Sequence, residues 1–299
     1  MNKKGFKKNI NEKMFIIGML SIPITNFLIF WLYVNVDSLA LAFKTPLISG
    51  GYEWCFDNFA TLFKEFELGD SLLSIALGNT LIFFAVDILV SFPLNLLIAY
   101  FIFKKVTFYR GFRILLYLPC IIMPSVTVNL FKYIIAGNGP VSKLFELLNW
   151  NFPVLLVNSD YALWTIIFYQ VFFYLGGKLI LYGGVLNHVD NSVLESAKIA
   201  GANEFQELIY MIIPLMWPTL STVLILSFVG LFGASGPILL FTQGGYNTTT
   251  LSYWIFDKVY YNGEYNYPSA VGLFFTLIGA PIALIMRKVL NKGVDDVAM

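Results

Sequence analysis

Residues 187–218 read NHVDNSVLESAKIAGANEFQELIYMIIPLMWP, and the fold follows from how this stretch sits between its neighbours. It carries Asp190, Glu195, Lys198, Glu204 and Glu207 between two strongly apolar runs, a charge density that does not belong in hydrocarbon. Phe205, Leu208, Ile209 and Ile212 recur at helical i, i+3, i+4, i+7 spacing, which predicts a helix with one buried stripe. Gly201 interrupts the polar part, where a residue without Cβ permits a tight turn or close approach by another chain. The expectation is two short helices broken at Gly201, within a loop 187–217 that joins two membrane spans.

Outward from that loop the chain is a series of apolar runs, at about 14–34, 75–103, 112–136, 161–186, 218–242 and 268–289, each long enough to cross a hydrocarbon core as a helix. Composition agrees. Of 299 residues 58% are apolar and 12% charged, against about 25% charged in soluble domains. The mean hydropathy is +0.73. Basic residues cluster at Lys3, Lys4, Lys7, Lys8 and Lys13, then at Lys104, Lys105, Arg110 and Arg113, and again at Arg287, Lys288 and Lys292. Six spans place all three clusters and the 187–217 loop on one side, which the distribution of positive residues makes cytoplasmic, with both termini there. The first run is too long for a signal-peptide core, although Ala40 and Ala42 mimic a cleavage site.

Residues 35–73 hold Asp37, Glu53, Asp57, Glu65, Glu67 and Asp70 against Lys44 and Lys64, and should face outward. A second outer segment, 137–160, has the breakers Gly137, Gly139 and Pro140 ahead of a short amphipathic helix at 141–149. Cys55 in an outer loop and Cys120 in a span do not suggest a disulfide. A net charge of +1 gives no reason to expect nucleic acid. No long linker separates the runs, so 1–299 reads as a single domain. The fold class is all-α: a polytopic membrane protein with six transmembrane helices.

The loop motif narrows this. Glu195, Ser196, Ala197, Gly201, Met211, Ile213 and Pro214 fall on the slots of the EAA loop of ABC-importer permeases, whose pattern is E-A-A, three residues, Gly, nine residues, then I-x-L-P. Ser196, Met211 and Ile213 depart from the pattern with residues of similar size or character, and Ala200 stands where sugar-type members usually have Asp. FDNFATLF and NTLIFFAVDILVSFPLNLLIAY resemble the second-span region of carbohydrate-uptake permeases of the maltose, oligosaccharide and glycerol-phosphate type. YLPCIIMPSVTVNLFKYIIAGNGPVSKLFELLN and FTQGGYNTTTLSYWIFDKVYYNGEYNYPSAVGLFFTLIG resemble their later segments, with Tyr246 in a slot usually held by Pro. The resemblance covers the chain from about residue 57 onward. It implies a permease subunit of an ATP-driven, binding-protein-dependent importer in a bacterial plasma (inner) membrane, for a sugar or oligosaccharide. Its partners would be a second permease, two ATP-binding subunits, an extracytoplasmic solute-binding protein and membrane lipid. Glu195, Ser196, Ala197, Gly201, Ala202 and Pro214 would form the ATPase-coupling contact.

The chain itself has no cofactor site. It lacks a G-x-x-x-x-G-K-[ST] phosphate loop, since Gly176-Gly177-Lys178 is followed by Leu179 inside a span. ATP and Mg would therefore be held by the partner ATPases. No catalytic dyad, nucleophile setting or metal cluster is evident, which argues against an enzyme. Polar groups within spans are candidates for a substrate pathway. Asp87, near the middle of the second span, either accepts hydrogen bonds from sugar hydroxyls or pairs with Asn95 or Lys178. Resemblance to maltose-type permeases adds Ser125 after Pro124, Gln170, Phe173, Tyr174 and Gly177 in the fourth span, and Ser227, Leu231 and Ala234 in the fifth. Gln170 and Tyr174 lie one helical turn apart and share a face. Gly230, Gly233, Gly236 and Pro237 predict a bend in the fifth span. Two alternatives remain at this point: the same importer type for a peptide or phosphonate, or an ion-coupled secondary transporter.

Overall fold

A computed structural model describes residues 3–47, 50–69 and 71–295, with side chains placed over 12–47, 50–69, 71–190 and 192–291. The basic side chains at 3, 4, 7, 8 and 292, and Asp70, lie outside that set. The chain is almost wholly helical. Five helices are long and apolar enough to cross a membrane, and six spans result when one sharply bent pair counts as one. The described residues form two compact units, one of residues 1–64 and 258–274, the other of 65–257 and 275–299.

In the first unit, the first span Glu12–Ala42 is 0% buried over its apolar window, as a lipid-facing helix would be. It ends at a small antiparallel hairpin, Lys44–Pro46 with Tyr52–Trp54, in which Thr45 faces Glu53. Two asparagines hold this end together. Asn58, on the helix Asp57–Glu67, donates from Nδ2 to the carbonyls of Ala42 and Lys44, both at 3.0 Å. Asn266 donates to Leu41 at 3.2 Å and to Lys44 at 2.8 Å.

The second unit contains the second to fifth spans, and three of its features follow from proline. In the second span, Leu72–Phe103, the Phe92 N–H bonds the Asp87 carbonyl five residues back, a π turn just before Pro93. The fifth span, Glu204–Val229, repeats the device: Ile213 N–H reaches Leu208 just before Pro214. A proline cannot donate to the carbonyl four residues earlier and its ring crowds that oxygen, so a widened turn lets the helix run on. In the third span the solution is a break. Tyr109–Ile121 and Pro124–Ile134 meet at 110°. Ile122 and Met123 are extended, with ψ of 140° and 132°, because Pro124 disfavours a helical residue before it. The fourth span is Ala162–Leu186.

The fifth span differs from the sequence expectation at both ends. A capping box at Asn203 and Gln206, with bonds of 2.8 and 3.0 Å, starts the second loop helix at Glu204, and this helix runs on to Val229 instead of stopping ahead of a separate span near 218. The polar segment therefore contracts to about 187–203, and Pro214 lies inside the span. At the far end the helix stops at Val229. Gly230 is followed by a short turn Leu231–Gly233 and a separate helix Ile238–Phe241, so the expected bend is a full interruption. Small residues here also permit close approach: a Cβ on Gly236 would sit 2.9 Å from Ile166 Cγ2 and 3.0 Å from Phe83 Cε1. The outer helix starts at Pro140 and ends at Leu147, close to the expected 141–149.

Two cores fill the second unit. One packs Phe83, Val128, Phe131, Ile166, Tyr169 and Phe241 around the midpoint of the bundle. The other packs Leu96, Leu179, Tyr182, Leu208, Ile212 and Met216 toward the polar loop.

Candidate functional site

Between these cores lies a cavity of about 450 Å³, lined from the second span, the fourth span and the interrupted region after the fifth. The second span contributes Asp87, Ser91 and Asn95, spaced four apart and so on one helix face. The fourth contributes Gln170, Tyr174, Gly177 and Lys178, and the interrupted region Ser235, Gly236 and Pro237. Asp87 is fully engaged. Lys178 Nζ lies 2.6 Å from its Oδ1, and Ser227 Oγ donates to its Oδ2 at 3.1 Å. Of the two roles open to Asp87 in the sequence, pairing with Lys178 is the one seen, yet both side chains still face the cavity at 27% and 28% exposure.

Two amide oxygens on the wall have no hydrogen-bond partner. Asn95 is 1% exposed and uses its Nδ2 on the Ser91 carbonyl at 2.6 Å, leaving Oδ1 free. Gln170 Oε1 is likewise buried and unpartnered. Such groups cost free energy unless something donates to them, about 1–3 kcal/mol each. Gly177 has nothing within 4 Å of a notional Cβ, so its small size leaves the cavity open. An edge of apolar groups, including Val171 and Tyr174, completes the lining.

The sequence residues divide accordingly. Asp87, Gln170, Tyr174 and Gly177 come together, and Ser227 reaches the cavity through Asp87. Phe173 does not line it: its ring stacks on Tyr169 at 4.4 Å and meets Phe131 edge-on at 5.8 Å. Ser125 sits half-buried just past the third-span break and is not on the wall. Leu231, 7% exposed, and Ala234 pack instead of lining. Ser91 and Ser235 were missed, and Asn95 was named only as a partner for Asp87, not as part of the wall. The four-residue spacing of Asp87, Ser91 and Asn95 in an apolar run was a signal that could have placed Ser91 and Asn95 there.

The polar loop is built around Gly201. Helix Asn191–Ile199 is capped by Asp190, whose carboxylate accepts from the Ser192 N–H at 3.0 Å and is thereby held below the usual carboxylate range. It ends in a Schellman turn: Ala202 N–H bonds Ala197 O and Gly201 N–H bonds Lys198 O, both at 3.0 Å. That turn needs Gly201 at φ +77°. Around Gly201 the space is open, and Glu195, Ser196 and Lys198 are exposed while Ala197 is buried at 1%. Ala202 and Pro214 are half-buried.

The stripe on the following helix is not the one expected. Leu208 and Ile212 are buried, but Phe205 is 67% and Ile209 36% exposed. Glu207 takes the inward position, 2% exposed, because it has partners there. Lys104 Nζ at the end of the second span lies 2.6 Å away, and Tyr100 OH donates to it at 3.2 Å and to the Glu204 carbonyl at 3.1 Å. Sequence reasoning used Lys104 only as a topology marker and Glu207 only as a polar residue. Their meeting clamps the start of the fifth span to the end of the second.

A family model described as binding-protein-dependent transport system inner membrane component matches residues 78–296. Among curated relatives, the lactose transport system permease protein LacF of Rhizobium radiobacter is 25% identical over 270 residues, covering 86% of this chain and 87% of that protein. Among solved structures, a bacterial ABC transporter involved in import of the acidic polysaccharide alginate contains a chain of similar fold. The TM-score is 0.82 at 23% identity, over 96% of this chain and 98% of that one. A second alginate transporter structure, in complex with an alginate pentasaccharide-bound periplasmic protein, gives a TM-score of 0.81 at 23% identity over 93% and 94% of the two chains.

Proposed function

The chain belongs to the family of binding-protein-dependent transport system inner membrane components, and on that premise we propose that it carries a sugar or oligosaccharide across a bacterial plasma membrane. The observation that carries the substrate class is the cavity wall, which sets serine, amide and paired charged side chains beside an aromatic ring and an aliphatic edge. Sugar hydroxyls exchange hydrogen bonds with such polar groups and the apolar face of a pyranose packs on a ring. The name of the lactose permease relative and the alginate transporter likeness support the same reading.

In this reading ATP and Mg are bound and ATP hydrolysed by two partner subunits at the cytoplasmic face. A second permease completes the membrane pathway, and an external binding protein delivers the solute. Both termini and the 187–203 segment face the cytoplasm, as the basic clusters suggest. The exposed face around Glu195, Ser196 and Gly201, with Ile199 at 88% exposure, docks into an ATPase cleft. Closure of the ATPases moves the loop and the start of the fifth span that follows it, and the Glu207–Lys104 pair passes that movement to the second span, whose Asp87 face lines the cavity. Alternating access is then a switch between two packed arrangements of the spans.

The test is affinity purification of the tagged chain from its native membrane with mass spectrometry. Recovery of an ATPase, a second six-span chain and a binding protein that takes up saccharide supports the proposal. A chain recovered alone after crosslinking through the 187–203 segment, with transport that collapses with an ion gradient, overturns it.

A further inference from the structure

We propose that the Asp87–Lys178 pair makes this cavity a filter that admits uncharged saccharides and rejects acidic ones, an inference that rests on the saccharide reading above. The charged groups on the wall are one acid and one base, and each already has the other. Lys178 is 2.6 Å from Asp87 Oδ1, while Ser227 holds Oδ2 at 3.1 Å, so the carboxylate is fixed against the ammonium from both sides. A uronic acid entering the cavity would bring a second carboxylate to a cation that Asp87 already neutralises, so it would give up water without gaining a counter-charge. The charge pattern therefore acts against the wrong ligand, and does not attract the right one.

The uncharged groups on the wall do not offset this. Asn95 Oδ1 and Gln170 Oε1 are buried acceptors without partners, so they offer an entering carboxylate, which only accepts, nothing in exchange for its lost water.

The experiment uses the complete transporter in nanodiscs without its external binding protein, so that delivery does not impose its own selectivity. Saturation-transfer NMR reads binding of trisaccharide pairs that differ only in carbon 6: glucose with glucuronate, galactose with galacturonate, and mannose with mannuronate. The wild type should favour the neutral member of any pair it binds by roughly ten- to a hundredfold, the scale of desolvating a carboxylate that gains no partner. Asp87→Asn, which keeps shape and removes the charge, should open Lys178 to the acidic member and erase most of that preference. Adding Lys178→Gln should abolish the gained acidic binding, and thermal unfolding of each variant in the nanodisc shows that it folds. Equal binding of both members by the wild type, or no gain of acidic binding in a folded Asp87→Asn, overturns the filter and leaves the saccharide reading standing. Binding of no member of any pair by the wild type overturns the saccharide reading and the filter with it.

Discussion

Replacing Lys104 by Met should destabilise the protein far more than replacing Glu207 by Gln, although both break the same ion pair. Glu207 has a side chain 3% exposed and Lys104 one 16% exposed, with 2.6 Å between charges. Lys104→Met strands a buried carboxylate whose remaining side-chain partner is the Tyr100 hydroxyl at 3.2 Å. Removing one member of a buried pair in this way costs about 3–5 kcal/mol. Glu207→Gln leaves a neutral amide that can still accept from Tyr100, and the freed Lys104 ammonium can reach water along its flexible stem. That loss is nearer the value of one charge-assisted hydrogen bond, about 1.5–3 kcal/mol. The double variant should recover part of the Lys104→Met loss, because the orphaned charge is gone. Denaturant unfolding of the four proteins in matched detergent, followed by helical circular dichroism, closes the cycle. Equal losses for the two single variants that simply add in the double variant would refute the argument from buried charge.

Gly201→Asp should insert and fold, losing about 1 kcal/mol at the positive-φ turn, yet abolish ATP-driven uptake, since a Cβ there meets no other atom of the chain; uptake at normal expression would remove the loop from coupling. Asn79→Ala should loosen the outer turn at 247–249, because Asn79 Nδ2 bonds the Asn247 and Thr249 carbonyls at 2.7 and 2.8 Å; hydrogen exchange should show faster opening there, with a loss of about 2–3 kcal/mol. Gly176→Val should force the third and fourth spans apart, a Cβ already falling 2.7 Å from Cys120 Sγ, and cost at least about 1–3 kcal/mol in thermal unfolding. Asp190, whose folded pKa is depressed by its cap bonds, should lend the loop helix stability that is present above about pH 4 and lost as pH falls through the depressed value. Asp190→Ala should remove that acid-side dependence from loop-helix hydrogen exchange.

Hydrophobic run length and the placement of lysine and arginine determined the six-span, all-helical architecture from sequence alone, because a continuous apolar run of about 20 residues satisfies its own backbone in hydrocarbon as a helix, whereas a closed barrel needs shorter, alternating strands. The Gly201 break was equally legible, since a glycine between two helical stretches is the residue that takes a positive φ at least cost. So was the outer helix after Pro140. The start of the fifth span was not, because a capping box at Asn203 outweighed the polarity of the residues that follow. Nor was the inward face of that helix. Periodicity put Phe205 and Ile209 inside, and only the arrival of Lys104 and Tyr100 from a hundred residues away makes Glu207 the better buried residue. The cavity shows the same division. Polarity within a span marked Asp87, and resemblance to maltose-type permeases added Gln170, Tyr174 and Gly177, but their convergence, the capture of Asp87 by Lys178, and the exclusion of Phe173 and Ser125 depend on how the spans pack. Local backbone chemistry is written within a few residues, whereas a partner across the bundle is fixed only when helix rotation, span breaks and close approach at glycine are settled together.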